Sequence, residues 1–175
     1  HQPFLRRPMS IYGYDRAAGR LSFLYKVAGT GTAALARLLP GARVNVLGPL
    51  GTGFTIPAQA RHLVLVARGV GLATLAPLAQ EARARDLGLV AICSARSPAH
   101  LLSIDHFRAL GARVIAVTDS EGNSAPARIR PLLERLIAEG RADMLYTCGS
   151  NRLLELCQQV GQSAGIPGEV ALEQQ

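Results

Sequence analysis

The sequence has no tryptophan, few other aromatic residues and a single lysine, Lys26. It contains no apolar run of the roughly 20 residues that a membrane-spanning helix requires, so no membrane partner is expected. It also lacks the pattern of a signal peptide, which predicts a cytoplasmic location. The three cysteines, Cys93, Cys148 and Cys157, form no CxxC pair. Their number and spacing fit neither a disulfide framework nor a zinc site, and we expect no metal within this chain.

Acidic residues are fewer than basic ones, which gives a formal net charge of +7 at pH 7. The basic residues are scattered along the chain, with no run of like charge and little aromatic interleaving. This distribution does not favour nucleic-acid binding, and no nucleic-acid partner is predicted. A positive field of this size favours an anionic ligand or an acidic protein partner.

Two patterns divide the chain. Residues 1–57 combine many glycines with strand-like segments (MSIYGY, LSFLYKVA and RVNVLG) and one helical stretch (TAALARLL), which is typical of an antiparallel β module. From His62 onwards, apolar strand-like segments alternate with helical ones, which predicts an α/β doubly wound parallel sheet. The expected strands of residues 62–175 are HLVLVA, LVAICSA, RVIAVTD, DMLYTCG and GEVALE. The boundary falls between Pro57 and Arg61.

The segment RGVGLAT stands where the first apolar strand of the second part passes into a helix. Gly69 and Gly71 lack Cβ atoms, so the phosphates of a ligand can approach the backbone and the N-terminus of that helix. The six-residue glycine fingerprint is incomplete, because Thr74 holds its third position. A tight turn that binds no ligand is the alternative interpretation.

A second candidate loop is TCGSN, which follows a later strand. The strand ends at Cys148, Gly149 allows close approach, and Ser150 or Asn151 would cap the next helix. Ligands of open α/β sheets bind at the carboxyl ends of strands, which is where Cys148 would lie. The alternative is a small buried cysteine with no ligand.

Polar residues also follow the second and third strands of the α/β part. Ser94, Arg96 and Ser97 lie just past the second strand, where the adenosine ribose of a dinucleotide usually binds. Arg96 would meet a 2′-phosphate there, or it is a surface arginine. Asp119 ends the third strand and either accepts a hydrogen bond from a ligand or caps a turn.

The first part of the chain offers a further anion site. Arg7, in RRPMS, is a natural bidentate partner for a phosphate. Gly29 and Gly31, in GTGT, precede a helical stretch and would form a second anion-binding turn. Each feature taken alone is equally consistent with a surface arginine or an ordinary turn.

The order of these motifs resembles that of the ferredoxin–NADP reductase superfamily. The segments concerned are RRPMSIY, GTGT, VLGPLGTGF, VARGVGLATLAP, SARS, TDSEG, TCGSN and GIPGEVALEQQ. Within the superfamily, the order is most similar to that of the electron-transfer subunits of dihydroorotate dehydrogenases, and the resemblance covers essentially the whole chain. It implies FAD in a partial β-barrel at residues 1–57 and NAD(H) or NADP(H) in the α/β domain at residues 62–175. It also implies a [2Fe–2S] cluster in an iron–sulfur domain after residue 175 of the full-length protein.

The resemblance implies a role for each matching position. Those implied to bind FAD are Arg7, Pro8, Met9, Ser10, Lys26, Val27, Gly31 and Thr32. With the positions inferred from the sheet, the set expected to bind the dinucleotide is Gly69, Val70, Gly71, Leu72, Ser94, Arg96, Ser97, Asp119, Cys148 and Gly149. Ser10 would lie beside the reactive edge of the flavin, Cys148 beside the nicotinamide C4, and Glu173 would face the flavin, so these three are the implied catalytic residues.

The chain departs from the family pattern in identifiable places. Ala67 and Arg68 replace the first two of the three glycines that usually open the dinucleotide loop. Arg68 would therefore either crowd a pyrophosphate or clasp it. Ser150 replaces a common proline. The family's first barrel strands and its cluster cysteines lie outside this sequence.

The activity that the resemblance implies is an electron relay. Electrons would pass between NAD(P)H, FAD and the cluster, to or from a catalytic dehydrogenase subunit in a hetero-oligomer. One alternative is a reductase component that serves a different partner enzyme. Another is a non-catalytic, nucleotide-binding docking module.

Overall fold

The computed structural model describes residues 6–172, which form seven strands and five α-helices. The strands are β1 (Gly13–Asp15), β2 (Arg20–Ser22), β3 (His62–Arg68), β4 (Gly88–Ala95), β5 (Arg113–Thr118), β6 (Met144–Cys148) and β7 (Gly168–Ala171). The helices are α1 (Thr30–Ala36), α2 (Gly71–Ala84), α3 (Ile104–Ala109), α4 (Pro126–Ala138) and α5 (Asn151–Ala164), with a short 3₁₀ turn at Pro98–His100. Among these residues, no helix is both long and apolar enough to cross a membrane.

Strands β3 to β7 form a parallel sheet in the spatial order β5-β4-β3-β6-β7. The chain builds the sheet outwards from β3 through β4 and β5, then returns to add β6 and β7 on the other side of β3. The order therefore reverses between β3 and β6. The predicted α/β doubly wound sheet is confirmed, and each predicted strand of this part forms with its ends shifted by at most two residues.

The two faces of β3 carry the core. Leu63, Leu65 and Ala67 pack with buried residues of α2 and α3, whereas Val64 and Val66 pack with those of α4 and α5. All five of these side chains are fully buried. The continuous apolar character of the strand thus follows from burial on both faces, which is the usual condition of a parallel sheet.

The N-terminal part contains less regular structure than the sequence predicts. Strands β1 and β2 form a short antiparallel pair, but the segment RVNVLG, residues 43–48, forms no strand, and that prediction is wrong. Val44, Val46 and Leu47 are 53 to 62% exposed. A strand needs a neighbour to receive its backbone hydrogen bonds, and within the described residues this segment has none.

Several side-chain hydrogen bonds fasten the N-terminal part to the parallel sheet and its helices. The amide of Gln80 on α2 donates to the Tyr14 carbonyl at 2.6 Å and accepts from the Tyr14 N–H at 3.3 Å. The Tyr146 hydroxyl on β6 donates to the Thr55 carbonyl at 2.5 Å, and the Thr55 N–H donates to Glu169 at 2.9 Å. The chain before β3 is thereby held against both α2 and the β6–β7 edge.

Candidate functional site

The loops that follow β3 and β6 meet where the strand order of the sheet reverses. Ala67 and Cys148 are paired in register at the carboxyl ends of these two strands. In open α/β sheets, ligands bind in the crevice at this reversal point, outside the carboxyl ends of the strands. The topology therefore brings the two candidate loops of the sequence, at Gly69–Gly71 and Cys148–Gly149, to one place.

The two loops pack backbone against backbone. A Cβ atom at Gly71 would lie 2.8 Å from both the Cys148 carbonyl oxygen and the Gly149 Cα. A Cβ atom at Gly149 would lie 2.6 Å from the Arg68 carbonyl oxygen, and Gly149 has a φ of +87°. Side chains at these positions would separate the loops, so Gly71 and Gly149 are required for the junction itself.

Gly69 meets a different requirement. Its φ is +56°, a left-handed conformation that side chains rarely adopt, and a Cβ atom there would meet nothing within 4 Å. The Gly69 N–H donates to the Ser94 carbonyl at 3.0 Å, so this group is committed to the sheet rather than offered to a ligand. The loop thus turns at Gly69 and leaves open space above it, directly before α2 begins at Gly71.

Arg68 binds a hydroxyl and a carboxylate at the ends of the neighbouring strands. Its Nη1 atom lies 3.0 Å from the Ser94 Oγ and 3.1 Å from the Asp119 Oδ1, and its Nη2 atom lies 2.6 Å from the Asp119 Oδ2. One side chain from the end of β3 therefore crosses β4 and binds the carboxylate that follows β5. These partners lie on the side of β3 opposite to β6, so the guanidinium points away from the Gly71–Gly149 junction.

Asp119 receives hydrogen bonds from two side chains. The fork from Arg68, followed by the hydroxyl of Ser124, lowers the pKa of Asp119 to about 2, and the charge of Arg152 acts in the same direction. The backbone carbonyl of Asp119 also accepts from the Gly122 N–H at 3.0 Å, which closes a turn. The carboxylate is consequently ionised and already paired at neutral pH.

The other residues expected near the ribose differ in their exposure and in their contacts. Ser94 is 1% exposed and its hydroxyl contacts Arg68, so it lies beneath the surface of the sheet edge. Arg96 is exposed, directly beyond β4. Ser97 is half-buried, and its hydroxyl lies 2.7 Å from the His100 Nδ1.

Cys148 lines a cleft of about 400 Å³. Its side chain is 2% exposed, and Gly149, Asn151, Val170 and Leu172 line the same cleft. Val170 and Leu172 are 42% and 71% exposed, so the cleft has an apolar wall beside the polar start of α5. Such a mixture of apolar surface with a few polar groups is typical of a small-molecule site.

Three of the residues expected to bind flavin, Arg7, Gly31 and Thr32, lie at the start of α1. Arg7 lies across Gly31, where an added Cβ atom would come within 2.5 Å of the Arg7 Nε. The Thr32 hydroxyl accepts from the N–H groups of Ala28 at 2.9 Å and Gly29 at 3.1 Å, so it shapes the turn that precedes the helix. Of the other residues expected to bind flavin, Met9 is half-buried. The rest are exposed: Pro8, Ser10, Lys26 and Val27.

One contact joins the flavin residues to the dinucleotide loop. The Thr74 hydroxyl, in the first turn of α2, donates to the Ser10 Oγ at 3.1 Å. Sequence reasoning noted Thr74 only as the residue that breaks the glycine fingerprint and missed this contact. The departure from the fingerprint could have indicated this contact, because a hydroxyl in the first turn of α2 lies close to the point where the strand order reverses.

Two further residues singled out in the sequence are Ser150 and Glu173. Ser150 occupies the N-cap position of α5 but makes no side-chain capping bond. Glu173 lies outside the described residues. The roles of Ser124, Gln80 and Tyr146 were not anticipated, because each acts through a partner that is distant in sequence or carries no motif.

No metal centre is found in the part of the chain that the structure describes. Residues 6–172 contain no group of three or more His, Cys, Asp or Glu side chains able to hold a metal ion. Burial raises the pKa of the Cys93 and Cys157 thiols to about 12, so both stay protonated at neutral pH. An all-cysteine iron–sulfur cluster needs four thiolates, and the sequence has three cysteines in total.

Comparison with known proteins gives consistent relatives, although no family model matches the chain. The chain is 33% identical over 174 residues to the dihydroorotate dehydrogenase B (NAD(+)) electron transfer subunit of Desulforamulus reducens, covering 99% of this chain and 66% of that protein. It is 36% identical over 155 residues to the subunit of the same name from Geobacillus kaustophilus, covering 87% of this chain and 59% of that protein. The chain therefore spans less than two thirds of the length of these relatives.

Among solved structures, the NADH-dependent reduced ferredoxin-NADP oxidoreductase matches with a TM-score of 0.76 and 23% identity, covering 96% of this chain and 60% of that one. This match and the reversal of strand order between β3 and β6 show a ferredoxin reductase-like fold. Within this fold class, the chain is a homologue of the dihydroorotate dehydrogenase B electron transfer subunits.

Proposed function

We propose that the chain is the flavin- and dinucleotide-binding part of an electron-transfer flavoprotein subunit. It would serve a catalytic dehydrogenase subunit, of the dihydroorotate dehydrogenase B kind, within a hetero-oligomer. The observation that carries the proposal is the Gly71–Gly149 junction, where two loops meet without side chains beside the Cys148 cleft. The names of the relatives supply the partner and the NAD(+) acceptor.

The dinucleotide site fits the residues present. The loop from Gly69 to Leu72 would hold the pyrophosphate, because open space lies over Gly69 and the positive end of the α2 dipole stands behind it. Cys148 and Gly149 would flank the nicotinamide. Arg96, exposed beyond β4, would meet the adenosine ribose.

The flavin site rests on the N-terminal part. Arg7 would neutralise the FAD phosphates, with Gly31 providing the space that its guanidinium crosses. When bound, FAD would exchange a hydride with the nicotinamide and single electrons with a further carrier, which is chemistry that side chains do not supply. Ser10 would donate a hydrogen bond to the flavin. Its oxygen accepts the hydrogen bond from Thr74, so its own hydrogen stays available for another acceptor.

The chain's own residues do not fit the iron–sulfur cluster. Three cysteines cannot supply four thiolates, and two of them are buried thiols with a raised pKa. The cluster remains a prediction for the full-length protein, and no step is assigned to it here. The domain limits at residues 57 and 62 and the cytoplasmic location also stay predictions.

Flavin content of the full-length protein tests the proposal. Arg7→Ala should lower the flavin-to-protein ratio strongly, because the phosphates lose their cation. Arg6→Ala is the matched control, since it removes the same charge from the adjacent residue, whose guanidinium binds the Asn45 side chain at 2.7 Å. Equal flavin content in both variants would remove the assignment of Arg7.

Reduction of the bound flavin tests the electron-transfer role. Anaerobic NADH should bleach the flavin absorbance, and the rate against NADPH shows which dinucleotide is used. A flavin that neither nucleotide reduces would favour a non-catalytic docking module. Identification of the subunit that co-purifies distinguishes a dihydroorotate dehydrogenase from another partner enzyme.

A further inference from the structure

Arg68 is the residue in which this chain departs most from the three-glycine loop pattern, and its contacts give it a defined role. Both Nη atoms bind Asp119, and one of them also binds Ser94. The side chain of Arg68 is 22% exposed and that of Asp119 is 41% exposed, so the pair lies at the surface of the sheet edge. Arg68 is the last residue of β3, the strand that leads into the Gly69 loop.

A direct contact of Arg68 with a phosphate would be costly. Rotating the guanidinium towards the Gly69 loop would break a bidentate ion pair and remove the donor that satisfies the buried Ser94 hydroxyl. Obstruction of the Gly69 loop is also disfavoured, because the partners of Arg68 lie on β4 and after β5, whereas the Gly71–Gly149 junction lies on the β6 side of β3.

A dinucleotide bound at the reversal point extends from β6 across β3 towards β4, with its adenosine half over β4. Asp119 follows β5, next to β4, and thus faces that half of the site. An unpaired carboxylate there would repel the pyrophosphate, and salt would weaken this repulsion. Arg152 adds a further positive charge near Asp119 but is not bonded to it in the way that Arg68 is.

We propose that Arg68 is a positioning residue that raises affinity for a pyrophosphate-bearing nucleotide by keeping Asp119 paired, without touching the phosphates itself. The inference rests on the proposed function, since it assumes that the Gly69 loop receives a dinucleotide. In this inference, Arg68 acts by neutralising the negative charge of Asp119 beside the site. The inference also assigns Asp119 to Arg68 rather than to the ligand.

A set of variants in the full-length protein tests this, with ADP-ribose as the probe and calorimetry as the measurement. ADP-ribose carries the pyrophosphate and both riboses but no nicotinamide, so binding is measured apart from electron transfer. Arg68→Met should raise its Kd roughly three- to tenfold at low salt, and this loss should shrink at high salt. The double variant Arg68→Met/Asp119→Asn should return to within about twofold of the wild type.

The alternatives give different patterns. If Arg68 binds phosphate directly, the double variant will be as weak as Arg68→Met. If Arg68 obstructs the loop, Arg68→Met will bind more tightly than the wild type. Either result overturns the inference. Failure of the wild type to bind ADP-ribose would overturn the proposed dinucleotide site, and the inference with it.

Two controls separate these effects from loss of structure. Arg135→Met removes an arginine from the Arg135–Glu139 ion pair in the last turn of α4, at the edge of the sheet opposite to the site, and should leave the Kd within about twofold. Asp119→Asn alone removes the carboxylate without removing Arg68. It should bind ADP-ribose at least as tightly as the wild type, and weaker binding would identify Asp119 as a ligand and overturn the inference even if Arg68→Met does not fold.

Discussion

Gly71 and Gly69 are two positions apart, but they are constrained by different things. An alanine at Gly71 would place its Cβ atom 2.8 Å from the Cys148 carbonyl, where backbone cannot move away easily. We expect Gly71→Ala to lower the free energy of unfolding by about 1–3 kcal/mol, as overpacking commonly does. Gly69→Asn should cost less than about 1 kcal/mol, because asparagine tolerates a positive φ and the space is open.

Urea unfolding of the two variants measures this difference. The comparison also decides which glycine is suitable for probing the dinucleotide. A side chain at Gly69 enters the open space of the site, whereas one at Gly71 first forces the two loops apart. Equal stability of Gly71→Ala and the wild type would mean that the loops do not pack as closely as described.

The pairing of Asp119 predicts a dependence of stability on pH. Its pKa is lowered to about 2 in the folded protein, from a usual value near 3.8. A carboxyl group with a lowered folded pKa contributes stability above its unfolded pKa and loses that contribution as the pH falls. The difference in unfolding free energy between the wild type and Asp119→Asn should therefore be constant above pH 5 and shrink between about pH 4 and pH 2.

Urea unfolding at a series of pH values follows this difference, and subtraction of the two proteins removes the other carboxylates. A difference that stays constant down to pH 2 would show that the Arg68–Asp119 pair does not stabilise the fold. Local sequence could not reveal this pair. The two residues are 51 positions apart, and only the parallel register of β3, β4 and β5 brings them together.

At the scale of secondary structure, burial decides which segments the sequence predicts correctly. Strands β3, β4 and β6 consist mainly of apolar residues that are buried on both faces, so their pattern is the same whatever the chain does elsewhere. Residues 43–48 have an equally strand-like pattern but remain irregular and exposed. A pattern records the propensity of a segment, whereas a strand also requires a partner for its backbone groups.

Tyr146 connects two elements that the sequence gives no reason to join. Its ring is fully buried on β6 and packs edge-on against Phe54, and its hydroxyl donates to the Thr55 carbonyl. Burial, followed by the charge of Glu169, raises its pKa to about 12, so the hydroxyl remains a donor throughout the neutral range. We expect Tyr146→Phe to lower the free energy of unfolding by about 1–2 kcal/mol, since a carbonyl loses its partner.

Tyr14→Phe is the matched control for this substitution. The Tyr14 hydroxyl lies 3.4 Å from Glu81 on the half-buried side of α2, and its loss should change stability by less than about 0.5 kcal/mol. Thermal or urea unfolding distinguishes the two variants. Equal effects would mean that the bond between Tyr146 and Thr55 does not hold the segment before β3 against β6.

Across the whole molecule, the apolar residues are divided unevenly. Every buried hydrophobic residue among residues 6–172 lies between Ala60 and Val160. Most of the exposed large hydrophobic residues lie earlier in the chain: Leu21, Val27, Leu38, Leu39, Val44, Val46, Leu47 and Leu50. Exposed apolar residues in such number usually mark a contact with another segment or molecule. The stability of the chain should therefore come almost entirely from the parallel sheet and its helices.

A fragment comprising residues 54–175 tests this division. It keeps the contacts of Phe54 and Thr55 with β6 and β7, and it loses the bonds of Ser10 and Tyr14 to α2. The urea dependence of its unfolding free energy should be close to that of residues 1–175, because this slope scales with the surface exposed on unfolding and the removed part buries little. The fragment should also bind less of an apolar dye such as ANS. A fragment that unfolds without cooperativity, or a slope that falls in proportion to chain length, would show that the first 53 residues contribute to the core.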